Sequence, residues 1–322
     1  MKILIAGGAG YIGSLLIPRL LDRGYHVDVI DLLWFGNQLP KEVKVEQKDI
    51  FNLHENDIKD YDQVIFLAGL SNDPMAEFSP AKNFIYNGAT SAYLAYICKR
   101  AGVKRYIYAG SCSVYGYTVN ELYDENAPAI SNYPYGISKL QGEQGALQMS
   151  DKTFSVICFR QGTVSGYSPR MRLDLIVNTM FKTAMQKGEI TVNNPSIWRP
   201  ILSIEDAVNA YIRAIEASYE ISGIFNIASG NYTVGEVADQ VQNTIETKLK
   251  KKVKLNIKNI QDFRNYKVSV DKAVNTLSFK PKHDVESILE SLIENLDKFK
   301  DFDNPNYYNI QIFKNLPEQS QL

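Results

Sequence analysis

Cysteine and histidine are both scarce, with three of each in 322 residues. Cys98, Cys112 and Cys158 cannot all pair with one another, and none stands in a CxxC spacing. With so few imidazoles a Cys/His zinc cluster has no ligand set, so no metal is expected. Such cysteine usage fits a reducing compartment. An excess of one charge is missing too. Lys plus Arg number 35 against 36 for Asp plus Glu, a net charge of −1. That balance gives no electrostatic reason to bind nucleic acid or an anionic membrane. Long apolar runs are absent as well. Gly7 interrupts the N-terminal MKILIAGGAG before it reaches the length of a signal core, and no later run is long enough to span a bilayer. A cytoplasmic protein is expected. What remains is an ordinary globular composition, 45% apolar and 22% charged, without repeats or low-complexity tracts.

Over residues 1–160 apolar runs alternate with stretches of helical character. The runs at 2–6, 26–30, 43–47, 63–67, 105–109 and 154–159 are continuously apolar, as strands buried on both faces should be. Helical stretches cover 11–22, 80–101 and 134–149, and Gly24 and Gly102 follow two of them as stops. This order predicts an α/β fold, a Rossmann-type doubly wound parallel sheet with right-handed crossovers. Pro18 lies within the first helix, where it withholds an amide from the Ser14 carbonyl. A kink, or a helix held by tertiary packing, is expected there.

Beyond residue 160 the texture changes. Helices at 173–187, 205–219, 234–249 and 284–299 are separated by loops and short strands. Thr233 and Glu236 have the spacing of a capping box. A smaller mixed α/β domain is expected at 161–300, with segments that return to the first domain, and then a tail at 301–322 that packs on the surface or frays. No Pro/Gly/Ser linker separates the halves, so they should share one cleft.

The run Gly7-Gly-Ala-Gly10-Tyr11-Ile12-Gly13 follows the first strand and opens the first helix. Glycines at Gly7, Gly10 and Gly13 permit a tight turn and close approach to a pyrophosphate, and the helix N-terminus offers that anion free amides. Asp31 ends the second strand, 24 residues after Gly7. A carboxylate there accepts hydrogen bonds from the adenosine ribose of NAD and repels the 2′-phosphate of NADP. Farther on, Tyr135 and Lys139 are four apart on a predicted helix and face one way. A phenol, with a pKa of about 10 when unperturbed, becomes a base at neutral pH only where nearby positive charge favours phenolate, and an ammonium and a nicotinamide cation both supply it. Ser111 can join the same proton-transfer network by hydrogen bonding the substrate oxygen.

With these residues the sequence resembles the extended short-chain dehydrogenase/reductases, specifically the nucleotide-sugar epimerase/dehydratase family. The likeness also runs through Asp49-Ile50, Leu67-Ala68-Gly69, Asn87-Gly-Ala-Thr90, Ser111-Cys-Ser-Val-Tyr-Gly116, Arg199 through Asp206, and Arg264. The resemblance implies Ser111, Tyr135 and Lys139 as the catalytic group, with Tyr135 as the base and Lys139 also on the nicotinamide ribose. It implies adenine contacts for Asp49 and Ile50, a cofactor wall of Leu67, Ala68 and Gly69, and Asn87 holding that region. Tyr11 and Ile12 belong to the same cofactor loop. Arg199 and Arg264 match arginines that grip a sugar nucleotide's diphosphate, a task suited to a planar guanidinium fork. Asn178 falls where the family often makes a backbone and phosphate contact. Ser168-Pro-Arg170-Met-Arg172-Leu-Asp174 resembles a subgroup that includes GDP-heptose C4-dehydrogenases and NDP-sugar C4 epimerases, and implies Arg170 and Arg172 as nucleotide or sugar contacts.

Departures narrow the reaction. Thr163 stands where the usual Arg-x-x-Asn pattern begun by Arg160 would place Asn, and Phe66 stands where many relatives have histidine. Cys112 and Ser113 occupy the positions at which 4,6-dehydratases carry Asp-Glu. Elimination needs an acid and a base beyond the tyrosine, so 4,6-dehydration is disfavoured, and so is decarboxylation, whose enzymes tend to have Glu at the second position. The expectation is an NAD-dependent 4-epimerase of a nucleotide-diphosphate sugar. A net C4 dehydrogenase or 4-ketoreductase stays open on the same residues, and a non-catalytic NAD-sensing regulator is disfavoured by the presence of both Tyr135 and Lys139. Relatives often dimerise through two helices per subunit, here 80–101 and 134–149, so a homodimer is expected.

Overall fold

A computed structural model describes residues 1–260 and 264–316. Its centre is a seven-stranded sheet. In chain order the first strands are β1 (Lys2–Ala6), β2 (His26–Asp31), β3 (Lys44–Gln47), β4 (Gln63–Phe66) and β5 (Arg105–Ser111). Strands Ser155–Gln161 and Gly223–Ile227 extend the sheet beyond β5, in the spatial order Gly223–Ile227, Ser155–Gln161, β5, β4, β1, β2, β3, and every pair is parallel. Strands β4, β5 and Ser155–Gln161 are buried throughout, which is why their sequences read as unbroken apolar runs.

Alternate side chains of each strand enter two different cores. Ile3 and Ile5 join Leu16, Ile17 and Leu20 of helix α1 (Gly13–Leu21) and the helix Ile204–Glu216 on one face. Leu4 and Ala6 join Leu94, Cys98 and Ala146, from helices Thr90–Arg100 and Pro134–Leu147, on the other. Helix α1 runs through Pro18 to Leu21, held by its fully buried Leu16, Ile17 and Leu20.

The second half builds its own core among helices Ile176–Lys187, Val234–Leu249 and Val285–Glu294. The Thr233 capping box forms: Thr233 Oγ1 accepts from the Glu236 amide at 3.1 Å, and the Glu236 carboxylate accepts from the Thr233 amide at 2.7 Å. Short strands Thr163–Ser165, Trp198–Ser203 and Gly230–Thr233 form a three-stranded sheet over the cleft. Strand Gly223–Ile227 returns to the main sheet, so the second half also completes the first.

One expectation changes, and one open alternative is decided. The stretch 80–101 is not one regular helix, because a π-helical segment, Phe84–Ala89, separates Pro80–Asn83 from Thr90–Arg100. The beginning of the tail is folded: helix Asn309–Lys314 packs Phe313 against Leu70, Met75 and Tyr86. The remainder, 317–322, lies outside the described residues. Among the described residues no helix is long and apolar enough to cross a membrane.

Candidate active site

Strands β1, β2 and β4 end level with one another, Ala6 opposite both Ile30 and Phe66. Their exit loops therefore open onto one crevice at the carboxyl edge of the sheet, where α/β folds bind ligands. Gly7 leaves β1 with φ +79°, and a Cβ there would lie 2.4 Å from the Ala68 amide nitrogen. Both the left-handed backbone and the contact with the β4 exit require glycine. The Gly10 amide turns back to the Gly7 carbonyl at 3.2 Å. Gly7, Gly10, Tyr11, Ile12, Asp31, Asp49, Ile50, Leu67, Ala68 and Gly69 all line one cavity of about 700 Å³.

Asp31 is fixed by two amides, Ala9 on Oδ2 at 3.0 Å and Leu33 on Oδ1 at 2.8 Å. Burial raises its carboxyl pKa, and these amides work against that rise. Asp49 caps the turn that follows it, its Oδ1 accepting from the Phe51 amide at 2.9 Å. Gly13 and Asn87 stand behind the wall instead of lining it. A Cβ on Gly13 would sit 2.1 Å from the Gly8 carbonyl oxygen, so this glycine lets α1 seat on the loop. Asn87, fully buried in the π-helical segment, donates to the Leu70 carbonyl at 2.9 Å and to Ser138 Oγ at 3.0 Å. It thereby ties the β4 exit to the helix that carries Tyr135 and Lys139.

Ser111 is the last residue of β5, and its Oγ accepts from the Ser113 amide at 3.1 Å. Pro134 opens the helix that places Tyr135 in its first turn and Lys139 one turn later. Lys139 Nζ donates to the Ala109 carbonyl at 3.0 Å and lies 6.0 Å from the Tyr135 ring centroid. All three side chains border the same cavity as the glycine loop. Their protonation differs from the expected lowered phenol. Burial, with the Asp73 carboxylate next, pushes the Tyr135 phenol above its ordinary range, while a hydrogen bond with Ser111 pulls the other way. Burial lowers Lys139 to about 7. Desolvation is the largest influence on both groups.

Arg199 and Arg264 border the same cavity. Arg264 is ion-paired with Asp73 and lies 5.2 Å from the Tyr133 ring, whereas Arg199 lies 5.5 Å from the Tyr266 ring and donates to the Arg264 carbonyl. Arg172 grips Asp174 through two hydrogen bonds of 2.9 and 3.1 Å. Arg170 lines the cavity beside the glycine loop. Asn178 requires a correction. It is fully buried and does not line the cavity; its Nδ2 donates to the Arg172 carbonyl at 2.8 Å, and its Oδ1 accepts from the Gly166 amide at 3.0 Å. Its side-chain amide is committed to holding the loop from Gly166 to Arg172, so no ligand contact is open to that side chain.

Asp73, Tyr266 and Asn309 are among the lining residues that the sequence did not single out. Tyr266 and Ser113 place their hydroxyl oxygens 3.4 Å apart. Tyr266 stands two residues after Arg264, so strand alternation was a usable signal for it. Asn309 gave none.

A glycine loop at the head of a parallel sheet, an acidic residue ending β2, and a serine, tyrosine and lysine on one cavity define a dinucleotide-dependent enzyme of the Rossmann type. Residues 3–228 match the NAD dependent epimerase/dehydratase family. The chain belongs to that family, and NAD is the cofactor the family uses. Among curated relatives, a UDP-glucose 4-epimerase of Azospirillum brasilense is 34% identical over 149 residues, 44% of this chain and 43% of that protein. UDP-glucuronic acid decarboxylase 4 of Arabidopsis thaliana is 25% identical over 304 residues, 88% of this chain and 65% of that protein. The chain thus spans less than two thirds of either. Among solved structures, MoeE5 in complex with UDP-glucuronic acid and NAD superimposes with a TM-score of 0.81 at 24% identity, covering 91% of this chain and 98% of that one, a likeness of fold.

Proposed function

We propose that the protein is an NAD-dependent nucleotide-sugar epimerase that acts by transient oxidation at sugar C4. One observation carries the reading: Ser111, Tyr135 and Lys139 open onto the same cavity as the Gly7–Gly10 loop and the paired arginines Arg199 and Arg264. The cradle suits a dinucleotide, since Gly7 leaves room where a Cβ would collide and the amides at the start of α1 are aimed at an anion.

When bound, NAD supplies the acceptor of a hydride from C4 and then its donor. Tyr135 Oη takes the C4 hydroxyl proton as that hydride leaves and returns it once the 4-ketosugar has presented its other face. Ser111 Oγ holds the C4 oxygen beside Tyr135. Lys139 holds the nicotinamide ribose, and its ammonium opposes the burial that disfavours phenolate. Arg199 and Arg264 hold the diphosphate of the sugar nucleotide, Arg264 exchanging Asp73 for phosphate. Ser113 stands beside Ser111 where a dehydratase-like pattern would have a carboxylate, which disfavours elimination.

A panel of UDP-, GDP-, CDP- and dTDP-sugars, with products read by NMR, tests this reading. An epimer should form without added NAD and without net reduced nicotinamide. Accumulating reduced nicotinamide would assign a net C4 dehydrogenase on the same residues, and no turnover across the panel would contradict the proposal.

A further inference from the structure

We propose that Arg170 clamps the diphosphate of the bound dinucleotide and that the C-terminal segment, through Asn309, is a structural part of that cofactor site. The proposal rests on the NAD reading above and extends it to residues that no motif assigns to the cofactor.

Arg170 is 4% exposed. No carboxylate among the described residues forms an ion pair with it, and its Nε is buried with no hydrogen-bond partner. Burial, with Arg172 nearby, lowers its pKa to about 9, while the Asp174 and Asp31 carboxylates act the other way from beyond ion-pair distance. A buried guanidinium with no carboxylate in contact is costly, and its unpartnered Nε points to an anionic ligand in the cavity it lines. Position identifies the anion. The Arg170 amide donates to Ser14 Oγ at 3.2 Å, in the first turn of α1. The guanidinium lies 3.8 Å from the centroid of Phe35, four residues beyond Asp31. Arg170 thus stands between the amides that start α1 and the exit of β2, where a dinucleotide's diphosphate and adenosine ribose lie in this fold. Arg264, one of the two arginines expected to hold the sugar nucleotide, is instead paired with Asp73.

Asn309 fixes the guanidinium. Its Oδ1 accepts from Arg170 Nη2 at 2.5 Å, and its Nδ2 donates to Ser71 Oγ at 2.6 Å, just beyond the exit of β4. One amide therefore bridges both walls of the crevice, and the buried Phe313 anchors the helix that carries it.

Calorimetric titration with ADP-ribose, adenosine and UDP tests the proposal on the full chain. ADP-ribose carries the dinucleotide's diphosphate, adenosine lacks it, and UDP carries a diphosphate for the sugar-nucleotide end. Arg170→Met is expected to weaken ADP-ribose binding about 10–100-fold, as loss of a charge-assisted fork should, with adenosine and UDP nearly unchanged. Arg170→Lys should recover only part of the loss, and Asn309→Ala should weaken ADP-ribose in the same selective way by a smaller factor. In the unaltered protein, ADP-ribose should slow amide exchange over 305–316 and adenosine should not. Undiminished ADP-ribose binding by Arg170→Met, equal loss of adenosine, selective loss of UDP, or unchanged exchange in 305–316 would each overturn the clamp. Failure of the unaltered protein to bind either NAD or ADP-ribose would instead remove the functional reading on which it rests.

Discussion

Tyr135 and Lys139 share one helix face, and burial drives both toward their neutral forms: the phenol is pushed up and the ammonium down to about 7. The lysine's consequence for stability has a definite sign. Its unfolded pKa is about 10.4, so between pH 7 and that value the unfolded chain binds the extra proton. Stability therefore rises with pH across this window, and the contribution is lost as pH falls through 7. The slope is at most about 1.4 kcal/mol per pH unit. The thermal midpoint of the ligand-free protein should climb more between about pH 6 and pH 9 than that of Lys139→Met. Identical profiles would mean that Lys139 keeps an ordinary pKa. At this scale the sequence disclosed residue types well and their orientation poorly. Tyr135 and Lys139 were legible as neighbours because residues four apart on a helix share a face, and Ser111 through the family resemblance. Asn178 was not, since a motif position does not say which wall of a loop the side chain supports. Asn309 lay beyond reach, because its partner Arg170 is 139 residues away and only tertiary folding brings them together.

Among elements, the β1–loop–α1 unit has the tightest tolerance. Gly7→Ala meets both the left-handed backbone, a penalty of about 1–2 kcal/mol, and a collision with the backbone of Ala68. Denaturant unfolding should reveal a loss of at least that size, and NAD binding should fall with it. A substitution without effect would mean that the loop rearranges freely. The paired helices Thr90–Arg100 and Pro134–Leu147 make a second test. They cover one face of the sheet, and Ile85 (40% exposed) and Tyr96 (46% exposed) stand on the solvent side of the stretch that includes the first. We propose that this face joins two copies of the chain. Light scattering should then give a dimer at micromolar concentration and a monomer for Ile85→Lys; a parent protein that is monomeric would contradict it. Six of the seven strands of the large sheet were readable, most of them because burial on both faces removes alternation from their sequences; β3 is mainly exposed, and Gly223–Ile227 was not read. Thr163–Ser165 and Gly230–Thr233 were not, being three and four residues long and defined only by pairing with Trp198–Ser203. The π-helical segment at Phe84–Ala89 was equally hidden, because one extra residue in a turn leaves apolar periodicity almost intact.

At the scale of the molecule, the chain crosses its own cleft repeatedly. Strand Gly223–Ile227 returns to the main sheet, Asp73 from the first half pairs with Arg264 from the second, and Asn309 links Arg170 to Ser71. The cavity therefore has walls from both halves and from the C-terminal segment. On the proposed function, a phenol, a lysine and a dinucleotide converge there on one sugar carbinol. Turnover of a C4-deuterated sugar nucleotide by Tyr135→Phe, measured beside the parent protein, tests it most directly. The parent should give the C4 epimer with the deuteron retained, and Tyr135→Phe, still binding NAD, should be slower by about 10²–10⁴-fold, the usual worth of a general base. Equal rates, or a deuteron lost to solvent, would contradict the account.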